Sequence, residues 1–287
     1  MTLASPGAVP LVVLAAAVLH AIWNALAHEM RDHLVGFALI NVAIIACTVV
    51  LACVTPIPHA AAWPFIIASA VLEVLYQSLL LSAYRLGDFA QMYPLARGTS
   101  PLLVAIWATV VLGRPLGPVQ LAGVLLISFG LLALAFPKGL PSRAQWPALA
   151  AAVGTGVMIA SYTVVDGVGV RHSDTVLGYI VWIFLLQSPG FLLVAFAVRG
   201  RTLFSGVEKR VWIRGLTGGV LSLTAYGLVV WAQARGNLAT IAALRETSIV
   251  IAALIGAAFF HERLGRFRMV ASAVVVTGIA LMELTHA

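Results

Sequence analysis

The chain has 287 residues, 62% of them hydrophobic and only 9% Asp, Glu, Lys or Arg, with a mean hydropathy of +1.04. Soluble domains carry about 25% charged residues, so a water-soluble globule is excluded. The net charge of +7 would suit nucleic acid, but the basic residues cluster in short connectors between apolar runs, where they orient a membrane protein. No basic–aromatic module accompanies them, and lipid, not nucleic acid, is the expected surrounding partner.

Ten windows reach the roughly 20 apolar residues needed to cross a bilayer. They cover about 8–28, 34–54, 63–84, 89–112, 117–136, 146–165, 174–198, 211–234, 237–260 and 267–285. The first has no basic lead and no small-residue cleavage signal after it, so it reads as a retained span. Connectors are polar or Pro/Gly-rich, as in His28-Glu29-Met30-Arg31-Asp32-His33, Gly113-Arg114-Pro115 and Pro137-Lys138-Gly139. Cys47 and Cys53 share the second window; six helical residues separate them by about 9 Å, too far for a disulfide. They read as small buried apolar residues.

Polar residues inside these windows recur at helical spacing. His20, Trp23 and Asn24 share a face of the first helix, and Glu73, Tyr76 and Gln77 a face of the third. Tyr93 and Arg97 line the fourth, together with Ser100. Pro94 and Pro101 flank Arg97, each removing a helical hydrogen bond, and with Gly98 they predict a kinked or broken fourth helix. Arg245 and Glu246 are adjacent on the ninth helix and point about 100° apart, so they cannot both face one neighbour. An ionised side chain at the bilayer centre costs about 2.5–3.5 kcal/mol on insertion scales, and such residues turn toward one another or toward water. Two readings stay open for these residues. They are interhelical glue, with Arg97 paired to Glu73, or they line the path of a solute whose anionic group meets Arg97 or Arg245. Glu73 or Glu246 is then also the expected carrier of a coupling proton. The aromatics Tyr162, Tyr179, Trp182, Tyr226 and Trp231 could stack on a solute or anchor the membrane interface. Ala150/Gly154 and Gly215/Gly219, four apart, suit close helix crossings.

The two halves align. Ala83-Tyr84-Arg85-Leu86-Gly87-Asp88-Phe89-Ala90 matches Ala232-Gln233-Ala234-Arg235-Gly236-Asn237-Leu238-Ala239, and Leu95-Ala96-Arg97-Gly98-Thr99 matches Leu244-Arg245-Glu246-Thr247-Ser248. This predicts a duplicated five-helix unit, residues 1–140 and 141–287. Five is odd, so the second copy enters the membrane from the opposite face, an inverted-repeat plan that places a solute between the halves. With the N-terminus outside, inner connectors hold twelve basic residues and outer ones only Arg114, Arg171 and Arg235, which favours both termini outside.

At Leu19-His20-Ala21-Ile22-Trp23-Asn24, Tyr84-Arg85-Leu86-Gly87-Asp88, Tyr93-Pro94-Leu95-Ala96-Arg97-Gly98, Ala243-Leu244-Arg245-Glu246-Thr247-Ser248 and Glu262-Arg263-Leu264 the chain resembles the drug/metabolite transporter superfamily, specifically its EamA-type ten-helix members. Arg114 departs from the glutamate usual there, while Glu262 keeps it in the second repeat. The resemblance implies an all-α integral membrane protein of ten transmembrane helices, seated in the inner membrane. It also implies a secondary transporter of small organic solutes, working by alternating access and often outward. Substrate contact is expected at His20, Trp23, Asn24, Glu73, Tyr76, Gln77, Tyr93, Arg97, Arg245 and Glu246. The expected partners are a small solute, lipid and a coupling proton, with no cofactor or metal and the oligomeric state open. Metal-binding and phosphate-loop patterns are absent, which leaves an intramembrane enzyme acting on a lipid-linked substrate, or a membrane scaffold, as the alternatives.

Overall fold

A computed structural model describes residues 8–113, 115–136, 142–251 and 266–283. Lipid offers no hydrogen bonds to the backbone, so spanning segments must satisfy their amides internally, and every regular element among the described residues is helical. In chain order they are α1 (Ala8–His28), α2 (His33–Ala52), α3 (Trp63–Leu86), α4 (Phe89–Val110), α5 (Pro118–Ala135), α6 (Trp146–Gly169), α7 (Val176–Arg199), α8 (Lys209–Gln233), α9 (Leu238–Arg245) and α10 (Arg266–Glu283). Seven of them, α1 to α3 and α5 to α8, are long and apolar enough to cross a membrane. Large apolar side chains such as Leu11, Val50, Phe129 and Leu193 stand exposed on their outer faces, the surface that acyl chains cover.

Two helices depart from expectation. α4 runs unbroken through Pro94 and Pro101, because proline's fixed φ near −65° is itself a helical value and each ring removes only one bond. The interruption falls instead on the ninth helix. α9 ends at Arg245, Glu246 forms a turn, and helix resumes at Thr247. The Glu246 amide donates three residues back to Ala243 at 3.0 Å, and the Glu246 carbonyl accepts from Ile249 at 3.0 Å. This local tightening needs neither Pro nor Gly. The sixth helix extends to Gly169, beyond the expected end near 165, and continues as a 3₁₀ turn over Val170–His172.

Helix contacts divide the chain into two compact units, Met1–Val74 with Val165–Arg235 and Leu75–Val164 with Gly236–Ala287. In the first unit α2 packs on α7 and α8, and α1 on α8. A Cβ added at Gly219 would lie 2.4 Å from the Ile40 carbonyl oxygen, and one at Gly215 2.4 Å from Leu39 Cβ. These two glycines let α8 settle directly on α2. The apolar core joins Trp23, Ile40, Ile44, Ile66, Tyr179 and Phe184. Cys53, expected buried, is exposed just past the end of α2, while Cys47 is partly buried against the core.

In the second unit α5 packs on α10 and α4, and α4 also meets α9. Gly123 and Gly278 face each other, and a Cβ on either would stand 2.8 Å from the other's carbonyl oxygen. Gly98 seats α4 against α5, with Leu131 Cβ 2.9 Å from its missing Cβ.

Two ion pairs, Glu29–Arg214 and Asp32–Arg199, tie the α1–α2 connector to the adjoining ends of α8 and α7. Asp32 is also the N-cap of α2, its Oδ1 accepting from the Val35 amide at 3.2 Å. Partial burial pushes its carboxyl up, but Arg199 and the amides outweigh this and hold it below the usual carboxylate value of 3.8. A depressed carboxylate stabilises the fold above its unfolded value and loses that contribution as pH falls through the folded one. Asp32→Ala is expected to cost about 1 kcal/mol through the lost cap. In acid-unfolding curves, the difference from wild type should vanish below the folded Asp32 value.

Candidate functional site

On α1 the expected face is real, and its members bond to one another. Trp23 Nε1 donates to His20 Nδ1 at 3.3 Å, with the two rings edge to face, and Asn24 donates to the His20 carbonyl at 2.8 Å. Trp23 is buried in the core, while His20 and Asn24 are half-buried. Glu73, on α3, is buried in the same unit.

The remaining expected residues lie in the second unit, where α4 and the end of α9 bring charges together. Arg97 Nε donates to Glu246 Oε2 at 2.9 Å, and Arg97 Nη2 to Ser248 Oγ at 3.3 Å. Arg97 is 4% exposed and Glu246 0%. The helix break explains how this contact forms. An uninterrupted α9 would hold residues 245 to 248 on one spiral, whereas the turn at Glu246 lets both its carboxylate and Ser248 reach Arg97. The carboxylate paired with Arg97 is therefore Glu246.

Around the pair, Tyr76, Tyr93 and Tyr162 lie within electrostatic reach of the Arg97 guanidinium. Tyr76 and Tyr162 meet edge to face, 5.6 Å between ring centres, and Gln77 is buried beside them on α3. Arg245 is 3% exposed and close enough to Glu246 to interact electrostatically. Among the described residues its Nε and Nη2 have no hydrogen-bond partner, and neither does Glu246 Oε1. Two guanidinium groups, Arg97 and Arg245, thus act on the one Glu246 carboxylate. Buried donors without partners cost about 1–3 kcal/mol each, more when charged, so such an arrangement signals an unfilled role.

A family model described as the EamA-like transporter family matches residues 8–136 and again 146–284. The chain belongs to that family. Its membership makes this EamA-like protein a multi-pass membrane protein of a transporter family, built from two matching repeats. A solved structure described only as the crystal structure of a protein shares the fold, with a TM-score of 0.80 over 97% of this chain and 99% of that one at 19% identity. No curated protein matches the chain.

The EamA-like chain also holds groups that sequence reasoning passed over. Ser248 needed the helix break to come into play. Asp166 fell just outside the expected sixth span, yet it is 0% exposed and accepts hydrogen bonds from Tyr179 and Tyr226. Its only sequence signal was a lone acid near the end of an apolar run. Glu262 and Arg263, which help carry the family resemblance, lie outside the described residues, as does Arg114.

Proposed function

We propose that this EamA-like protein is a secondary transporter that moves a small anionic or zwitterionic organic metabolite outward across the inner membrane by alternating access. The supporting observation is Arg245. Among the described residues its buried guanidinium has Nε and Nη2 without partners, beside the Arg97–Glu246 pair, which suits a carboxylate, sulfonate or phosphonate that brings its own acceptors. Glu246 Oε1, also without a partner among the described residues, can take the ammonium group of a zwitterion. Tyr76, Tyr93 and Tyr162 supply apolar faces with polar tips around the same point, and buried Gln77 belongs to the same unit; His20, Trp23, Asn24 and Glu73 are proposed solute contacts on the chemistry of their side chains alone. The family, the duplicated matches and the odd number of helices per repeat support an inverted-repeat plan with residues 1–140 and 141–287 as the two copies. The basic residues favour both termini outside. Coupling to protons fits the same scheme.

The test is flux in proteoliposomes loaded with labelled amino acids, organic acids or aminophosphonates, with purines and cationic drugs as contrasts. Arg245→Gln is expected to lower flux of the transported anion by about 30-fold or more, the fold-change that follows from losing one buried charge-assisted contact. An anion flux untouched by Arg245→Gln, or flux confined to cationic drugs, would overturn the assignment.

A further inference from the structure

The first unit contains a buried acid that the anion-binding cluster does not use. Asp166 lies in the last turn of α6, fully buried. Tyr179 Oη, from the first turn of α7, donates to its Oδ1 at 3.2 Å. Tyr226 Oη, from the last third of α8, donates to its Oδ2 at 2.5 Å. Three helices thus meet at one carboxylate, each oxygen claimed by a different phenol. The approach is built into the backbone. A Cβ at Gly169 would stand 2.2 Å from Tyr179 Oη and 2.4 Å from Phe65 Cβ, so only glycine leaves room for the phenol to reach Asp166.

Ionisable side chains inside membrane segments are costly and mark ion or proton pathways. We propose that Asp166, clasped by Tyr179 and Tyr226, is a proton-binding site of this transporter, and that its loading alters how α6 joins α7 and α8. This goes beyond the sequence expectation, which put proton coupling on Glu73 or Glu246. In the structure Glu246 is committed to Arg97.

The chemistry is a simple proton transfer. With both phenols donating, each carboxylate oxygen accepts one hydrogen bond and Asp166 is in its unprotonated form. When a proton arrives, an O–H bond forms on one carboxylate oxygen, and that oxygen becomes a donor. The phenol that had donated to it must rotate its own O–H away and accept, or withdraw. Release reverses the step, the proton leaving to water and both phenols turning back. Because each phenol belongs to a different helix, occupancy of one oxygen is read out as a change in one helix contact.

Among the described residues, several other ionisable groups of this unit have contacts of their own or stand exposed. Arg171 donates to the Gln233 carbonyl at 2.6 Å, and His172 bonds the Val168 carbonyl at 2.9 Å while stacking on Phe65. His59, Asp174 and Arg235 are exposed, and His20 on α1 accepts from Trp23. Tyr179 faces Asp166 from α7 and Tyr226 faces it from α8. With the orientation proposed above, this end faces outside, where a proton would enter.

That Asp166 couples to transport rests on the transporter reading, but its protonation can be tested without any solute. The probe is the proton, and the readout is the infrared C=O stretch of a protonated carboxyl group in the full-length protein reconstituted in lipid vesicles, followed across pH. A titrating band is expected in wild type and is expected to be lost in Asp166→Asn. Should Asp166→Asn fail to fold, Tyr226→Phe serves in its place. Removing one charge-assisted donor should move the band's midpoint by about one pH unit or more. A band that survives Asp166→Asn, a midpoint unmoved by Tyr226→Phe, or no titrating band in wild type would overturn the proposal. None of these outcomes touches the Arg245 flux test, so the two readings fail separately.

Discussion

Glu246→Gln is expected to cost the folded protein about 3–5 kcal/mol, the usual penalty for leaving one member of a buried ion pair uncompensated. Arg97 would keep its charge in a site 4% exposed, facing, among the described residues, only neutral acceptors, Ser248 Oγ at 3.3 Å and the new amide oxygen. Arg245 would lose the carboxylate beside it as well. The double variant Arg97→Met/Glu246→Leu should recover most of the loss, because apolar residues of similar volume often replace buried pairs at little cost. Denaturant unfolding of purified protein in detergent, followed by tryptophan emission, provides the measurement. A single-variant loss below about 1 kcal/mol would mean that water or a bound ion already shares the pair's charge.

Gly219→Val should cost about 1–3 kcal/mol by overpacking and should loosen α8 from α2. The obstacle is backbone, since the Ile40 carbonyl oxygen stands 2.4 Å from the new Cβ and Ala43 Cβ 2.6 Å. Neither can rotate aside. Gly218→Ala is the internal control. Its Cβ would meet Ile40 Cγ1 at 3.4 Å, an ordinary contact, and alanine gains helix propensity over glycine. The same unfolding measurement should therefore place Gly218→Ala at or above wild type. Equal losses at both positions would show that the α2–α8 crossing is not set by close backbone approach.

Helix positions were legible in the sequence because apolar length is a direct consequence of bilayer thickness, and nine of the expected windows overlap described helices along most of their length. Chemistry inside the helices was less so. Pro94 and Pro101 announce a break on α4 that does not occur, while the break at Glu246 carries no Pro or Gly. It depends on a partner from α4, far away in sequence, that rewards the carboxylate for leaving the spiral. Arg97 was recognisable as a functional cation, but its partner depended on packing that spacing along one helix does not encode. Asp166 was missed for a related reason. Apolar windows close when a charge appears, so a helix that continues past its buried acid looks one turn too short. By contrast, Gly215 and Gly219 were readable because four-residue spacing of small side chains has a single geometric use on a helix surface.

The interleaved packing has a consequence for how the molecule is made. α1 and α2 find their neighbours in α7 and α8, which leave the ribosome only after more than half the polypeptide has been synthesised. The earliest segments must therefore wait in the bilayer as separate rods, their glycine-matched ridges and end charges still without mates. Assembly becomes a late, collective event, and the insertion machinery, not the nascent chain, has to guard those first rods against wrong company in the meantime.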